Sequence, residues 1–324
     1  MVWQANQADM ASGMGSRINF FVGKGGVGKS TVSALAAICA AGAGKRTLLV
    51  SMDPAHNQGD IFCVAPGNTQ RKVSRNLYLQ EIDTDQWQKR YLEEIHSHIR
   101  KTYLYETAFN LQDHFNVLRF SPGLEEYAMA MAFEHVLENS SGMDMIMFDM
   151  APTALSLRFF ALPGITLAWL EQLLKLRRLI CDKKKIVSRI KLGKREYETK
   201  DRVSEKLESL IERHTRLQER LAKGCAVNLV MNPDPLSLAE TERIYKRLAD
   251  IGIGVSCVVI NKAGTKGAAP GIPAFAKGLK VTSLPVSGTP LIGMNALTSY
   301  AGDQAEALRV FYQDKDRGGT TMRA

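Results

Sequence analysis

A chain of 324 residues, 45% of them hydrophobic, has room for one large α/β domain with an insertion, or for two domains. Five scattered cysteines (Cys39, Cys63, Cys181, Cys225, Cys257) with no C-x-x-C or C-x-C pair argue for a reducing compartment and against a zinc site built from local pairs. There is no run of about 18 uncharged apolar residues, and Met1 to Ser16 lack an apolar core. Neither a transmembrane helix nor a signal peptide is therefore expected, and the chain reads as cytoplasmic.

Residues 1–16 read as a loose tail. Arg17-Ile-Asn-Phe-Phe-Val22 is a short apolar run, the pattern of a buried strand. Gly23-Lys24-Gly25-Gly26-Val27-Gly28-Lys29-Ser30 follows and fits G-x-x-x-x-G-K-[ST], a phosphate-cradling loop. Thr31 to Ala41 then reads as a helix. Strand before and helix after are the context this motif needs. Glycines let successive backbone N–H groups converge on phosphate oxygens, and the helix start adds its own free N–H groups. Lys29 would hold the β- and γ-phosphates of a nucleotide, and the Ser30 hydroxyl would reach Mg²⁺.

Lys45 to Met52 forms a second strand, closed by Asp53-Pro54, which makes a βαβ unit with parallel strands. Further strands are expected at Leu77–Ile82, Val117–Phe120, Met145–Phe148, Ala226–Met231, Val255–Ile260 and Leu279–Leu284, with helical patterns between most of them. The alternation predicts an α/β fold, a doubly wound and mostly parallel sheet, with ligands at the carboxyl ends of the strands. Asp53, Asp149 and Asn261 stand at such ends. A carboxylate there is often only a helix cap, and Asp53 precedes Pro54 as a cap would. Two such acids in a chain with a phosphate loop favour a functional role. Met150 to Arg158, after Asp149, reads as a switch loop that answers to the γ-phosphate, or as a plain turn into the next helix.

Ile165 to Gly224 is different in kind. It holds 17 Lys or Arg against 9 Asp or Glu, nearly all of the chain's net +9. Ile165 to Ile180 is apolar around more than one helical face. Lys183 to Lys200 is basic, includes Gly193, and reads as a turn or mobile link, with anionic lipid as one possible contact. Val203, Leu207, Leu210, His214, Leu217 and Leu221 form a heptad seam, with His214 half-exposed within it. The two apolar segments should pair as an antiparallel helical hairpin. The expected organisation is a nucleotide-binding core over 17–163 and 225–312, a helical insertion over 164–224, and tails at 1–16 and 313–324. In the last third, Pro235 to Asp250 and Asn295 to Tyr312 read as helices, and Lys262 to Lys277 as a mobile stretch.

The extra lysine, Lys24, resembles that of the deviant Walker A ATPases, among them ParA, MinD and the nitrogenase iron protein. Asp53-Pro-Ala-His-Asn57 with Asp60-Ile-Phe62 is similar to a signature of the arsenite-pump ATPase (ArsA) and of its relatives that target tail-anchored membrane proteins. Asp149-Met-Ala-Pro-Thr with Leu157-Arg158 and Leu162-Pro163, and Glu240-Thr-Glu-Arg243 before Val-Ile-Asn261, are similar to further motifs of that family. The resemblance covers about residues 17 to 311 and implies a homodimer that sandwiches two ATP molecules. It implies that Lys24 reaches the opposite subunit's ATP as an arginine finger does. Asp53 would orient or deprotonate the attacking water, with Ser30, Asp53 and Asp149 around Mg²⁺. Asn57, Asp234 and Asn261 would contact nucleotide, Asn261 at the adenine, and Pro285 and Val286 would open a purine-side loop reaching Leu291.

Three functions follow from the resemblance. The leading one is an ATPase that binds a hydrophobic membrane-protein segment in its helical insertion. The second is the energising subunit of an arsenite or other anion pump. The third is a MinD- or ParA-type positioning ATPase, which the insertion and Asp53-Pro-Ala-His-Asn57 disfavour; nucleic acid is the least favoured partner. The chain departs from the family at Ala154-Leu155, where Gly-His is usual. It also lacks the C-x-x-C that bridges the eukaryotic targeting dimers, the C-x-C of the nickel-inserting relatives, and the cysteine cluster of the arsenite sensor.

Overall fold

The computed structural model describes residues 17–55, 57–65, 67–102, 123–192, 201–264 and 271–313. At its centre is strand β1 (Arg17–Val22), hydrogen-bonded to a parallel neighbour on each side. A strand covered on both faces must be apolar on both. Phe20 and Phe21, consecutive and so on opposite faces, are each fully buried. The other strands are β2 (Thr47–Ser51), β3 (Arg71–Ser74), β4 (Leu77–Glu81), β5 (Met145–Asp149), β6 (Cys225–Met231), β7 (Val255–Ala263) and β8 (Lys280–Pro285). Their order is β3-β4-β2-β5-β1-β6-β7-β8. Every pairing is parallel except that of β3 with β4. The doubly wound, mostly parallel α/β sheet expected from the sequence is present.

One face of the sheet carries α1 (Lys29–Gly42), α8 (Met294–Asp303) and the short α9 (Ala305–Leu308), whose Leu35, Ala36, Leu297 and Leu308 pack with Phe21, Leu49 and Met147. The other face carries α4 (Leu124–Glu138), α5 (Thr153–Leu192), α6 (Arg202–Lys223) and α7 (Pro235–Asp250). There Phe20 stacks on Phe148 with ring centres 5.0 Å apart and meets Phe160 of α5 edge-on at 5.1 Å. Helix α3 (Thr84–Thr102) lies against α4, with Tyr91 stacked on Tyr127. Helix α2 (Asn57–Phe62) is short and follows the Asp53 turn.

The predicted hairpin is α5 with α6. Asp201 fastens its far part: its carboxylate caps α6 at the Val203 N–H, accepts from Arg177 Nε at Oδ2 and from Arg177 Nη2 at Oδ1, each at 2.9 Å, and takes one hydrogen bond from Ser204. Burial along the seam rises from an exposed Val203 to buried Leu217 and Leu221.

Several expectations change. Strand β3 was not foreseen; it pairs antiparallel at the sheet edge through a tight turn at Arg75-Asn76, where Asn76 takes φ 62°. Val117–Phe120 lies outside the described residues. Helix α5 starts at Thr153, not Ile165, and runs through Pro163, so the loop after Asp149 is only Met150 to Pro152. The same helix extends to Leu192, so Lys183 to Leu192 is helical rather than a link; 193–200 lies outside the described residues. His214 is buried, not half-exposed, because the base of the hairpin meets the core. The last helix is broken at Gln304 and closes in a 3-10 turn, Arg309–Phe311, that brings Phe311 onto Phe21.

Among the described residues one helix, α5 over Thr153–Lys184, is by length and composition able to cross a membrane, against the expectation of none; 44% of its apolar window is buried inside the protein. Its buried side chains Leu157, Phe159, Phe160 and Leu162 belong to the core.

Candidate active site

Strand β5 lies between β2 and β1, in a register that sets Asp149 level with both Ser51 and Phe21. The loops that leave these three strands therefore share one edge of the sheet. They enclose a cleft of about 470 Å³.

The loop after β1 forms its floor. Gly28 is the N-cap of α1 with φ 90°, and no side chain caps the helix. The first N–H groups of α1 thus lack internal acceptors, and no acidic residue stands in the first turn to compete for them. Two glycines are demanded by space. A Cβ on Gly23 would lie 2.2 Å from the Val230 carbonyl oxygen, and one on Gly28 would lie 2.4 Å from Asn261 Nδ2. Lys29 is buried at the start of α1, its Nζ 3.3 Å from the Lys24 carbonyl oxygen. An amine and a helix N-terminus converging on one cleft make it a site for a polyanion.

Of the residues singled out in the sequence, Gly25, Gly26, Gly28, Lys29, Ser30, Thr31, Asp53 and Asn57 line the cleft. Gly23, Lys24 and Val27 belong to the same loop without lining it. Asp53 is nearly buried, and its Oδ1 accepts the Ala55 N–H at 3.0 Å. Asp149 is fully buried behind the cleft wall. Burial pushes its carboxyl up to about 6, against the pull of Ser30, Gln58 and Lys29; Asp53 adds to the rise. The remaining residues are not in the lining. Asn261 donates through Nδ2 to the Val27 carbonyl at 2.7 Å and so sits against the phosphate loop. Asp234 caps α7 by accepting the Ser237 N–H at 2.8 Å. Pro285 ends β8, and the exposed Val286 bonds back to Ala263.

Sequence reasoning passed over several neighbours. Ala55, Asp60, Ile61, Pro152 and Ile292 complete the lining. Gln58, beside Asn57, is fully buried and hydrogen-bonded to Asp149. Glu240 of α7 lies 3.8 Å from Lys24 and accepts a hydrogen bond from Thr153 at 3.0 Å. Asp60 and Glu240 stood within recognised motifs; Ile292 and Gln58 carry no local signature.

The residues fit a magnesium ion. The Ser30 hydroxyl is in the lining, and Asp149 Oδ1 is buried without a hydrogen-bond partner, an oxygen that a metal's water shell would satisfy.

A family model described as anion-transporting ATPase, ArsA ATPase, matches residues 16–267. The chain is 32% identical over 248 residues to the Aquifex aeolicus protein named "Putative arsenical pump-driving ATPase 2", covering 76% of this chain and 80% of that one. It is 30% identical over 258 residues to "Putative arsenical pump-driving ATPase 1" of the same organism, where it covers 76% of this chain but only 63% of the relative. It is 26% identical over 251 residues to an ATPase ASNA1 homolog of Entamoeba dispar, covering 75% of each chain. With its phosphate loop, its strand-end acids and a match over most of its length, the chain belongs to the ArsA ATPase family and is a nucleotide-binding ATPase.

Proposed function

We propose that the chain works as a Mg²⁺-dependent homodimer in which ATP hydrolysis rearranges the α5–α6 hairpin, and that the hairpin binds a hydrophobic segment of a membrane protein. One observation carries this reading. Helix α5 continues unbroken from Thr153, separated from Asp149 only by Met150-Ala151-Pro152, to exposed Ile165, Trp169, Leu176, Leu179 and Ile186. These five fall within one side of the helix, a stripe that a soluble helix ordinarily buries. The apolar stripe therefore lies on the helix that begins directly after Pro152 of the cleft lining.

In this reading the glycine loop and the α1 N-terminus bind the phosphates, and Lys29 neutralises them. Ser30 and Asp149 would hold Mg²⁺, which supplies charge neutralisation across the transferred phosphoryl group. Asp53, fixed by the Ala55 N–H, orients the attacking water and accepts its proton. Lys24 acts across the dimer. Asn261, Asp234 and the Pro285–Leu291 loop serve the nucleoside of the bound nucleotide.

The test is retention of a co-expressed tail-anchored helix by purified protein, with and without ATP. Trp169→Asp combined with Leu176→Asp should cut retention about tenfold while basal ATPase stays within about twofold. Equal retention would remove the client role and leave the ATPase standing.

A second reading, as the driving subunit of an anion pump, is favoured by the names of two Aquifex relatives. Among the described residues no cluster of three cysteine, histidine or acidic ligands forms, and the Cys181 thiol is engaged with Asp201 at 3.2 Å. ATPase rate measured against arsenite and antimonite decides it: stimulation lost in Cys181→Ser would support the pump, and a flat response would remove it.

A further inference from the structure

Gln58 lies between Asn57 and Asp60, which line the cleft, yet it is itself fully buried. Its Nε2 reaches three oxygens: Asp149 Oδ2 at 2.9 Å, the Ser30 carbonyl at 3.0 Å and Ser33 Oγ at 3.0 Å. The Ser33 hydroxyl donates its own hydrogen to the Ser30 carbonyl, so toward Gln58 it is an acceptor. All three partners are thus acceptors, and the amide nitrogen, not the amide oxygen, must face them. One hydrogen serves the Asp149 carboxylate in a charge-assisted bond; the other is shared between Ser30 and Ser33.

Packing alone explains this side chain badly. Gln58 Oε1 is buried with no partner, and so is Asp149 Oδ1. A methionine would occupy similar space without burying an unpaired amide oxygen. What the glutamine adds is a donor aimed at one oxygen of a buried carboxylate. It also joins three elements: α2, which follows the Asp53 turn in the chain; the first turn of α1, which carries Ser30; and the end of β5.

We propose that Gln58 is a positioning residue for Asp149, holding Oδ2 so that Oδ1 alone is presented to the magnesium ion's water shell, and coupling that presentation to the position of α2. The inference rests on the reading above in which Ser30 and Asp149 hold Mg²⁺. It makes Gln58 matter to the metal and not to the phosphates, since its amide bonds none of the phosphate-loop N–H groups.

The experiment is a magnesium titration of the full chain with a fluorescent ATP analogue, read as fluorescence and not as turnover. Wild type, Asp149→Asn, Gln58→Met and Gln58→Glu are compared, each checked for folding by thermal melting. Asp149→Asn should abolish most of the magnesium dependence. Gln58→Met should raise the half-saturating magnesium concentration about tenfold, the loss of one hydrogen bond to a charged group, with magnesium-free affinity for the analogue unchanged within about twofold. Gln58→Glu keeps the size but replaces the donor by an acceptor, and should shift the midpoint at least as far. If Asp149→Asn shifts the midpoint and neither folded Gln58 variant does, Gln58 is packing only and this inference falls alone. If Asp149→Asn changes nothing, the magnesium placement falls and takes the inference with it. Equal weakening of magnesium-free and magnesium-loaded binding would make Gln58 a structural support of the loop, and would also overturn it.

Discussion

Lys24 is held by Glu240 of its own chain: Nζ lies 3.8 Å from Oε2, while Oε1 of the same carboxylate accepts the Thr153 hydroxyl at 3.0 Å. The contact links the phosphate loop to the first turn of α5. Both side chains are partly exposed, at 39% and 30%, so the pair contributes at most about 1 kcal/mol and is easily surrendered. In the proposed dimer Lys24 must turn away to reach the other subunit. Glu240→Gln should therefore lower the ATP concentration for half-maximal dimerisation about threefold, by sedimentation, with little change in melting temperature. A higher ATP requirement would mean that Glu240 presents Lys24 instead of restraining it.

Asp53 and Lys29 should separate chemistry from binding. Asp53→Asn keeps the hydrogen bond from the Ala55 N–H but cannot take a proton. Turnover should fall at least about 100-fold with ATP affinity nearly unchanged. Lys29→Ala should instead lose most of the binding. A wild-type rate in Asp53→Asn would assign the water to another group.

The glycines of the loop should not be equivalent. Gly23→Ala drives a Cβ into the Val230 carbonyl, where only movement of backbone relieves it, and should cost about 2 kcal/mol or more in urea unfolding. Gly25 has no heavy atom within 4 Å of such a Cβ, and Gly25→Ala should fold within about 0.5 kcal/mol of the parent. Equal costs would show that the end of β1 is less tightly held against β6 than the distances state.

Acid should loosen the base of the hairpin. His214 is held below its ordinary 6.5 chiefly by burial; its Nδ1–H donates to the Leu210 carbonyl at 2.9 Å, and Arg213 and Glu134 are its charged neighbours. The folded protein binds its proton less readily than the unfolded chain does. The stability this histidine contributes is thus complete above about 6.5 and is lost as pH falls through the lower folded value. His214→Leu should lose less melting temperature between pH 7 and pH 5 than the parent does. Parallel pH curves would place the acid sensitivity elsewhere, His135 being the next candidate because burial lowers it too.

The sequence disclosed most where a physical requirement is local. The run Arg17 to Val22, the glycine loop and the acids at Asp53 and Asp149 each follow from a rule about neighbouring residues, and the eight-stranded order brings those acids to one edge. Strand β3 was missed because Arg71-Lys-Val-Ser74 sits at an edge, exposed or half-buried throughout, and has no apolar face to announce it. The start of α5 was missed because Pro163 ordinarily ends a helix, yet here the packing of Phe159, Phe160 and Leu162 on the sheet carries the helix through it. Gln58 was invisible because its importance lies in three oxygens contributed by two other elements. His214 looked half-exposed in a heptad because the seam's period cannot say where the hairpin ends and the core begins.

Helix α5 has 40 residues, so at 1.5 Å each it is about 60 Å long. Its first turn is bonded to Glu240 through Thr153, and Pro163 removes one backbone hydrogen bond near that end. A rod anchored at one end magnifies what happens there: a tilt of about 10° at Thr153 displaces the far end by about 10 Å. Displacements at the nucleotide small enough to leave the sheet undisturbed would thus be delivered to the hairpin's tip at the scale of a whole helix diameter.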